Sequence, residues 1–258
     1  MIELDPYMKY VPALMLVLFR VTGIFVVAPV FSDAAVPPRL RYLMGVVISL
    51  AAVGRLAGPV ELSARWIDLV AGAAGEFLIG ATIGYVARLV FAGVELGAFH
   101  IGQQMGVSLG EVFDPMSQAP SDAVRRLFQM LCVVIFLGIG GHRMLISSLL
   151  ATFQAVPLMG LAPDGGLLDM VVMLLGASFV LALKVAAPVL IAMLLATLAL
   201  GMLQKALPQC NILSIGLSVR AILGLGVLGV GLAALAALME SFLAILGSGI
   251  SAWMKAVQ

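Results

Sequence analysis

Residues 95–122 read ELGAFHIGQQMGVSLGEVFDPMSQAPSD, between an apolar run holding Phe77–Phe91 and another beginning at Leu127. The segment is neither apolar nor obviously helical. At bilayer depth such backbone must be buried in protein or line an aqueous path. Its glycines at 102, 106 and 110 give backbone freedom, and Pro115 and Pro120 prevent one continuous helix. The expectation is a moving part in a conduit, with the rest of the chain as scaffold.

The flanks set the fold class. The 258 residues are 63% hydrophobic and 10% charged, with a mean hydropathy of +1.18. A soluble domain is nearer half apolar and a quarter charged, so these values predict an all-α, multi-pass integral membrane protein. A net charge of +1 points to neither nucleic acid nor an acidic substrate. Cys132 and Cys210 have no CxxC spacing, which gives no disulfide framework and no metal site. The N-terminal MIELDPYMK is acidic, so the first apolar run reads as a retained helix rather than a signal peptide.

Outward from the central stretch, about six apolar segments are expected. Tyr10–Val30 is long enough to span, with Arg20 at its middle, where a charge normally faces protein or water. Leu43–Val53 is apolar but short. Arg39 and Arg41 would place their loop in the cytoplasm, but Arg55 and Arg65 contradict simple alternation. In Ile67–Phe99, Gly72, Glu76, Gly80, Gly84, Arg88 and Ala92 recur at four-residue steps. That pattern predicts a ridge of small and charged residues facing protein. The glycines at 138, 140 and 141 predict a turn or broken helix. Leu167–Leu203 contains Lys184, and Pro188 should kink it or split it into a hairpin. Pro208, Gln209 and Asn211 form a polar turn before the last run, Ile222–Leu246.

Chemistry-bearing motifs are sparse. Gly106-Val107-Ser108-Leu109-Gly110 fits G-x-S-x-G, but a nucleophile elbow needs a strand–turn–helix setting that this chain lacks. An intramembrane serine protease survives only as a rival. His100 and His142 have no second ligand at helical spacing, and satisfied polar contacts at helix ends are the plainer expectation. Gln104 has hydrogen-bonding capacity without catalytic chemistry. Met105 offers pliable apolar surface for a seal, or plain core packing. Val107, Leu109, Val112, Phe113 and Met116 add apolar surface able to close a pore by expelling water.

In order and spacing, four stretches resemble the FliR family of flagellar biosynthesis proteins and its virulence type III secretion counterpart. They are Phe19-Arg20 with Ala28-Pro29-Val30-Phe31; Glu76-x3-Gly80 through Gly102-x-Gln104-Met105-Gly106 to Phe113-Asp114-Pro115; Gly141-His142 with Phe153; and Pro208-Gln209-x-Asn211-Ile212 with Gly216. Ser218 departs from the family, which often has proline there. The resemblance covers nearly the whole chain. It implies one membrane domain over 1–258, with helices paired as hairpins. It implies a non-enzymatic export-gate subunit in the bacterial inner membrane at the flagellar basal body, with no cofactor.

In that family, one such chain assembles with several FliP-like and FliQ-like chains into a closed cone, near FlhB-like and FlhA-like proteins, and unfolded substrates cross its centre. The resemblance implies a plug at 104–122, carried by Gln104, Met105, Gly106, Val107, Leu109, Val112, Phe113, Pro115 and Met116. Arg20, Glu76, Gly80, Gly84, Arg88 and Lys184 become helix or subunit contacts. The alternatives are a virulence-system gate subunit and a secondary transporter with a midplane site at broken helices. The mass of the detergent-purified particle separates a transporter from a gate.

Overall fold

The computed structural model describes residues 11–33, 36–54, 66–107, 123–160, 166–206 and 212–257. Among them there are helices and no strands. The helices are α1 (Val11–Val27), α2 (Pro38–Val53), α3 (Trp66–Met105), α4 (Ala123–Ile139), α5 (Gly141–Ala155), α6 (Gly166–Ala206) and α7 (Ile212–Val257).

Where about six apolar segments are expected, the described residues form seven helices of unequal length. By length and composition α3, α6 and α7 are able to cross a membrane, and α4 with α5 adds a fourth if that broken pair is one span. Of the first run, the described residues give the 17-residue helix Val11–Val27. At about 1.5 Å per residue, the 41 residues of α6 and the 46 of α7 far exceed the ~30 Å of a hydrocarbon core. Pro188 does not split α6, which continues unbroken through it. Proline removes one N–H and frees one carbonyl, a loss that a long, otherwise strongly helical segment tolerates. The break between α4 and α5 falls at Gly140, whose φ of 82° suits glycine.

The chain divides into two compact units. The first draws on Met1–Leu89, Gly140–Leu175 and Ala244–Gln258. Here α1 packs on α2. Val17, Val21, Ile24, Ile79, Ile83, Leu145 and Leu149 are buried within it, and Phe25 stacks at a tilt on Phe31 with ring centroids 5.0 Å apart.

The second unit comprises Val90–Ile139 and Gly176–Leu243. Its helices meet through glycine. A Cβ on Gly93 would lie 2.7 Å from the Ser178 carbonyl oxygen, and one on Gly97 would lie 2.8 Å from that of Ala182. Phe91 meets Phe136 edge-on at 5.3 Å. Leu200 lies near Gly216 and Pro188 near Gly231, and Arg220 donates to the Thr197 hydroxyl at 3.1 Å. These pairings run α6 and α7 antiparallel.

Candidate functional site

In the first unit, α1 and α3 touch backbone to backbone. A Cβ on Gly80 would overlap the Arg20 carbonyl, one on Gly23 would overlap that of Phe77, and one on Gly84 would lie 2.9 Å from the Ala28 nitrogen. Only hydrogen at these positions permits the approach. That approach brings the Arg20 side chain to Glu76, one turn before Gly80. Arg20 Nε donates to Glu76 Oε2, and both residues are at most 1% exposed.

Each remaining nitrogen and oxygen of the pair also has a partner. Arg20 Nη1 donates to Thr152 Oγ1 at 3.2 Å, and Nη2 to the Val156 carbonyl at 3.2 Å. Its guanidinium lies 4.4 Å from the Phe153 ring centre, a favourable cation–π placement. Glu76 Oε1 accepts from the Met159 backbone N–H at 2.9 Å. Met159 adopts a left-handed φ of 63°, costing about 1–2 kcal/mol for such a residue. Its side chain sits where a Cβ on Gly72 would be, with Cγ 2.8 Å from that position. One ridge of α3 thus holds α1, the end of α5 and the turn after it. A buried ion pair whose polar atoms each have a partner is tolerated in an apolar interior; an unpaired charge is not.

The ridge does not continue to Arg88 and Ala92, which are exposed within this chain. A helix turns about 100° per residue, so each four-residue step drifts about 40°. Four steps from Gly72 carry Arg88 to nearly the opposite side. Lys184, halfway along α6, is exposed too, as is Glu240 on α7. Glu240 is not among the residues the motifs point to. Its signal was available: it is the single charge between Arg220 and Lys255. In the most apolar 18-residue window of α7 only 22% of the residues are buried, against 61% for α3.

The central stretch begins as helix. The helical run expected over Ile67–Phe99 extends to Met105 in α3, six residues further into the stretch that does not read as obviously helical. Glycine and glutamine lower propensity, but Gly97 is where α6 comes close, and tertiary packing overrides that weak preference. The helix ends at a glycine cap. Gly106 has φ 76°; its N–H bonds to the Gln103 carbonyl at 3.1 Å, and the Val107 N–H to that of Gly102 at 3.2 Å. This is the Schellman pattern, which stops a helix and fixes the chain's exit.

Gln104 is exposed, Val107 half-buried and Met105 1% exposed. Ser108, Leu109, Val112, Phe113, Pro115 and Met116 lie outside the described residues, as do Pro208, Gln209 and Asn211. His100 is exposed. His142, in the first turn of α5, has a buried Nδ1 without a hydrogen-bond partner, contrary to the expected satisfied contact. Among the described residues, no three His, Cys, Asp or Glu side chains group to hold a metal.

Residues 11–245 match the family described as bacterial export proteins, family 1. The chain is 31% identical over 211 residues to the flagellar biosynthetic protein FliR of Escherichia coli (strain K12), covering 80% of this chain and 79% of that protein. It is 30% identical over 218 residues to FliR of Pectobacterium carotovorum subsp. carotovorum, with 80% and 78% covered. Similarity extends to the secretion system apparatus protein SsaT of Salmonella typhimurium, 30% identical over 160 residues, with 61% and 60% covered.

Proposed function

The chain belongs to the FliR family of bacterial export proteins, and from that premise we propose that it is a non-enzymatic subunit of the flagellar type III export gate. It sits in the bacterial inner membrane at the basal body, its whole length acting as one membrane domain with α6 and α7 as a hairpin. FliP-like and FliQ-like subunits complete the channel, FlhB-like and FlhA-like proteins adjoin it, and unfolded flagellar proteins pass through. The flagellar relatives match about 80% of the chain and SsaT 61%, which favours the flagellar system.

One observation carries the reading beyond likeness. Arg88 and Lys184 are left exposed on apolar helices of membrane length. Charge at that depth faces protein or water, not lipid, so neighbouring subunits are the natural cover. In the assembled gate each is a subunit contact, whereas Arg20, Glu76, Gly80 and Gly84 hold the chain itself together. Removing one side of a buried pair costs about 3–5 kcal/mol. Arg88→Ala and Lys184→Ala are therefore expected to lower co-purification of partner subunits by more than tenfold, while the isolated chain melts as the parent does. Undiminished partner recovery for both variants would place these charges in water.

The seal is assigned to the segment after the Gly106 cap, with Leu109, Val112, Phe113 and Met116 as its apolar surface and Pro115 limiting its helicity. An apolar constriction stops ions by dewetting, against a potential worth about 2.3 kcal/mol per charge per 100 mV. Replacing 108–116 with a short Gly-Ser linker is expected to leave the gate assembled and make it leak ions, read as conductance with complex recovery as control. A tight, fully assembled gate after that replacement would move the seal to partner subunits.

A further inference from the structure

Among the described residues, the last turn of α3 inserts a side chain into α7 from its buried side. Val94, Ala98, Ile101 and Met105 line one face of the helix, each at most 1% exposed. At the end of that row the Met105 side chain occupies the place of a side chain on Gly224 of α7. A Cβ there would overlap Met105 Cγ and lie 2.7 Å from Sδ and 2.8 Å from Cε. The insertion is local: Gly226 and Gly229 on the same helix have nothing within 4 Å of a would-be Cβ. The next residue after Met105 is the left-handed Gly106, and the cap hydrogen bonds from Gly106 and Val107 follow at once.

We propose that Met105 seated on Gly224 is a latch that fixes where and in which direction the gate segment leaves α3. Gly224 is then a positioning residue for the seal. This rests on the reading of 108–116 as that seal. It also moves Met105 from the sealing surface to the anchor, because a side chain filled into the helix interface is not free to face a pore.

Helix propensity alone predicts that Gly224→Ala stabilises α7, as glycine costs about 1 kcal/mol relative to alanine in a helix. The latch predicts the reverse at one place. The added methyl displaces Met105, and overpacking of this kind loosens the last turn. The test uses whole gates purified from cells and the same cells for conductance. Gly224→Ala is expected to leave complex recovery unchanged, to speed hydrogen exchange of the Gly106 and Val107 amides about tenfold (equivalent to ~1.4 kcal/mol), and to raise ion leak.

Gly226→Ala, with open space around it, should change neither readout. Met105→Ala, which removes the inserted atoms, should also loosen the cap and leak. The double variant Met105→Ala/Gly224→Ala should fall closer to the parent than either single change, because one methyl then refills the vacated space.

Parent-like exchange in Gly224→Ala would overturn the latch. So would faster exchange without leak while the 108–116 replacement leaks, since the seal would then hold without its anchor. If that replacement is tight, the seal reading fails, and the latch loses its link to gating even where exchange shows it holding the cap. Should Gly224→Ala fail to assemble, Met105→Ala decides, because it introduces no clash; parent-like exchange and leak in that variant would overturn the proposal.

Discussion

Gly80→Leu is expected to abolish recovery of the folded chain, and with it every assembled gate. The position admits no side chain. A Cβ there would already overlap the Arg20 carbonyl and lie 3.2 Å from the Ile24 nitrogen. Both are helix backbone, so neither can rotate aside as a flexible side chain would. Relief requires α1 and α3 to separate, which uncovers Val17, Val21, Ile24, Ile79 and Ile83, all now at most 2% exposed. Separation also draws Arg20 away from Glu76. Overpacking a core usually costs about 1–3 kcal/mol, and parting two backbones with a buried ion pair between them costs more. Gly84→Leu should be damaging but less so, its nearest backbone neighbour being 2.9 Å from the Cβ position. Native gels of detergent extracts would read both. Parent-like assembly of Gly80→Leu would mean that the two helices do not meet at this residue.

The second large effect concerns the ion pair itself. Arg20→Ala leaves the Glu76 carboxylate buried without its cation and strips the Thr152 hydroxyl and Val156 carbonyl of a donor. Glu76→Ala strands the guanidinium and frees the Met159 N–H. Either change is expected to cost about 3–5 kcal/mol, enough to consume much of a marginal fold. Arg20→Met with Glu76→Met should recover most of that loss, because apolar replacements remove both desolvation penalties together. Thermal melting of the detergent-solubilised chain would read the series. A double variant no better than the singles would show that the hydrogen bonds to Thr152, Val156 and Met159 outweigh the charge pairing.

The residues of this clasp were legible in the sequence, but their pairing was not. Arg20 reads as a charge needing company, and Glu76, Gly80 and Gly84 as one face of a helix. Nothing local joins Arg20 to Glu76 across 56 positions; the joint follows from where two glycine-bearing helices cross. The same four-residue pattern does not carry the packing within the chain as far as Arg88, which is exposed, because its drift around the helix accumulates with each step. The all-helical class followed from composition. The end of α3 did not, because Gly97, Gly102 and the two glutamines lower helix propensity, while Ala182 and Val185 pack against Gly97 from a distant part of the chain. Lengths were blurred for a related reason: an uninterrupted apolar run does not reveal whether Pro188 divides it.

The length of α6 has a consequence for the lipid around it. Between Asp169 and Lys205 the helix carries no charge but Lys184. Its full length, about 60 Å at the usual rise, would need a tilt near 60° to fit within a ~30 Å hydrocarbon layer, beyond the observed range of about 0–40°. Hydrophobic mismatch of that size is not absorbed by bending the bilayer at fractions of a kcal/mol per Å. A solitary chain in a flat membrane therefore exposes greasy helix to water or drags Lys184 into lipid. Both raise its free energy, and both are relieved by the same event, the arrival of protein along its flank. In the proposed gate, hydrophobic mismatch would make the isolated subunit a poor resident of the bilayer and tie its lifetime there to the supply of its neighbours.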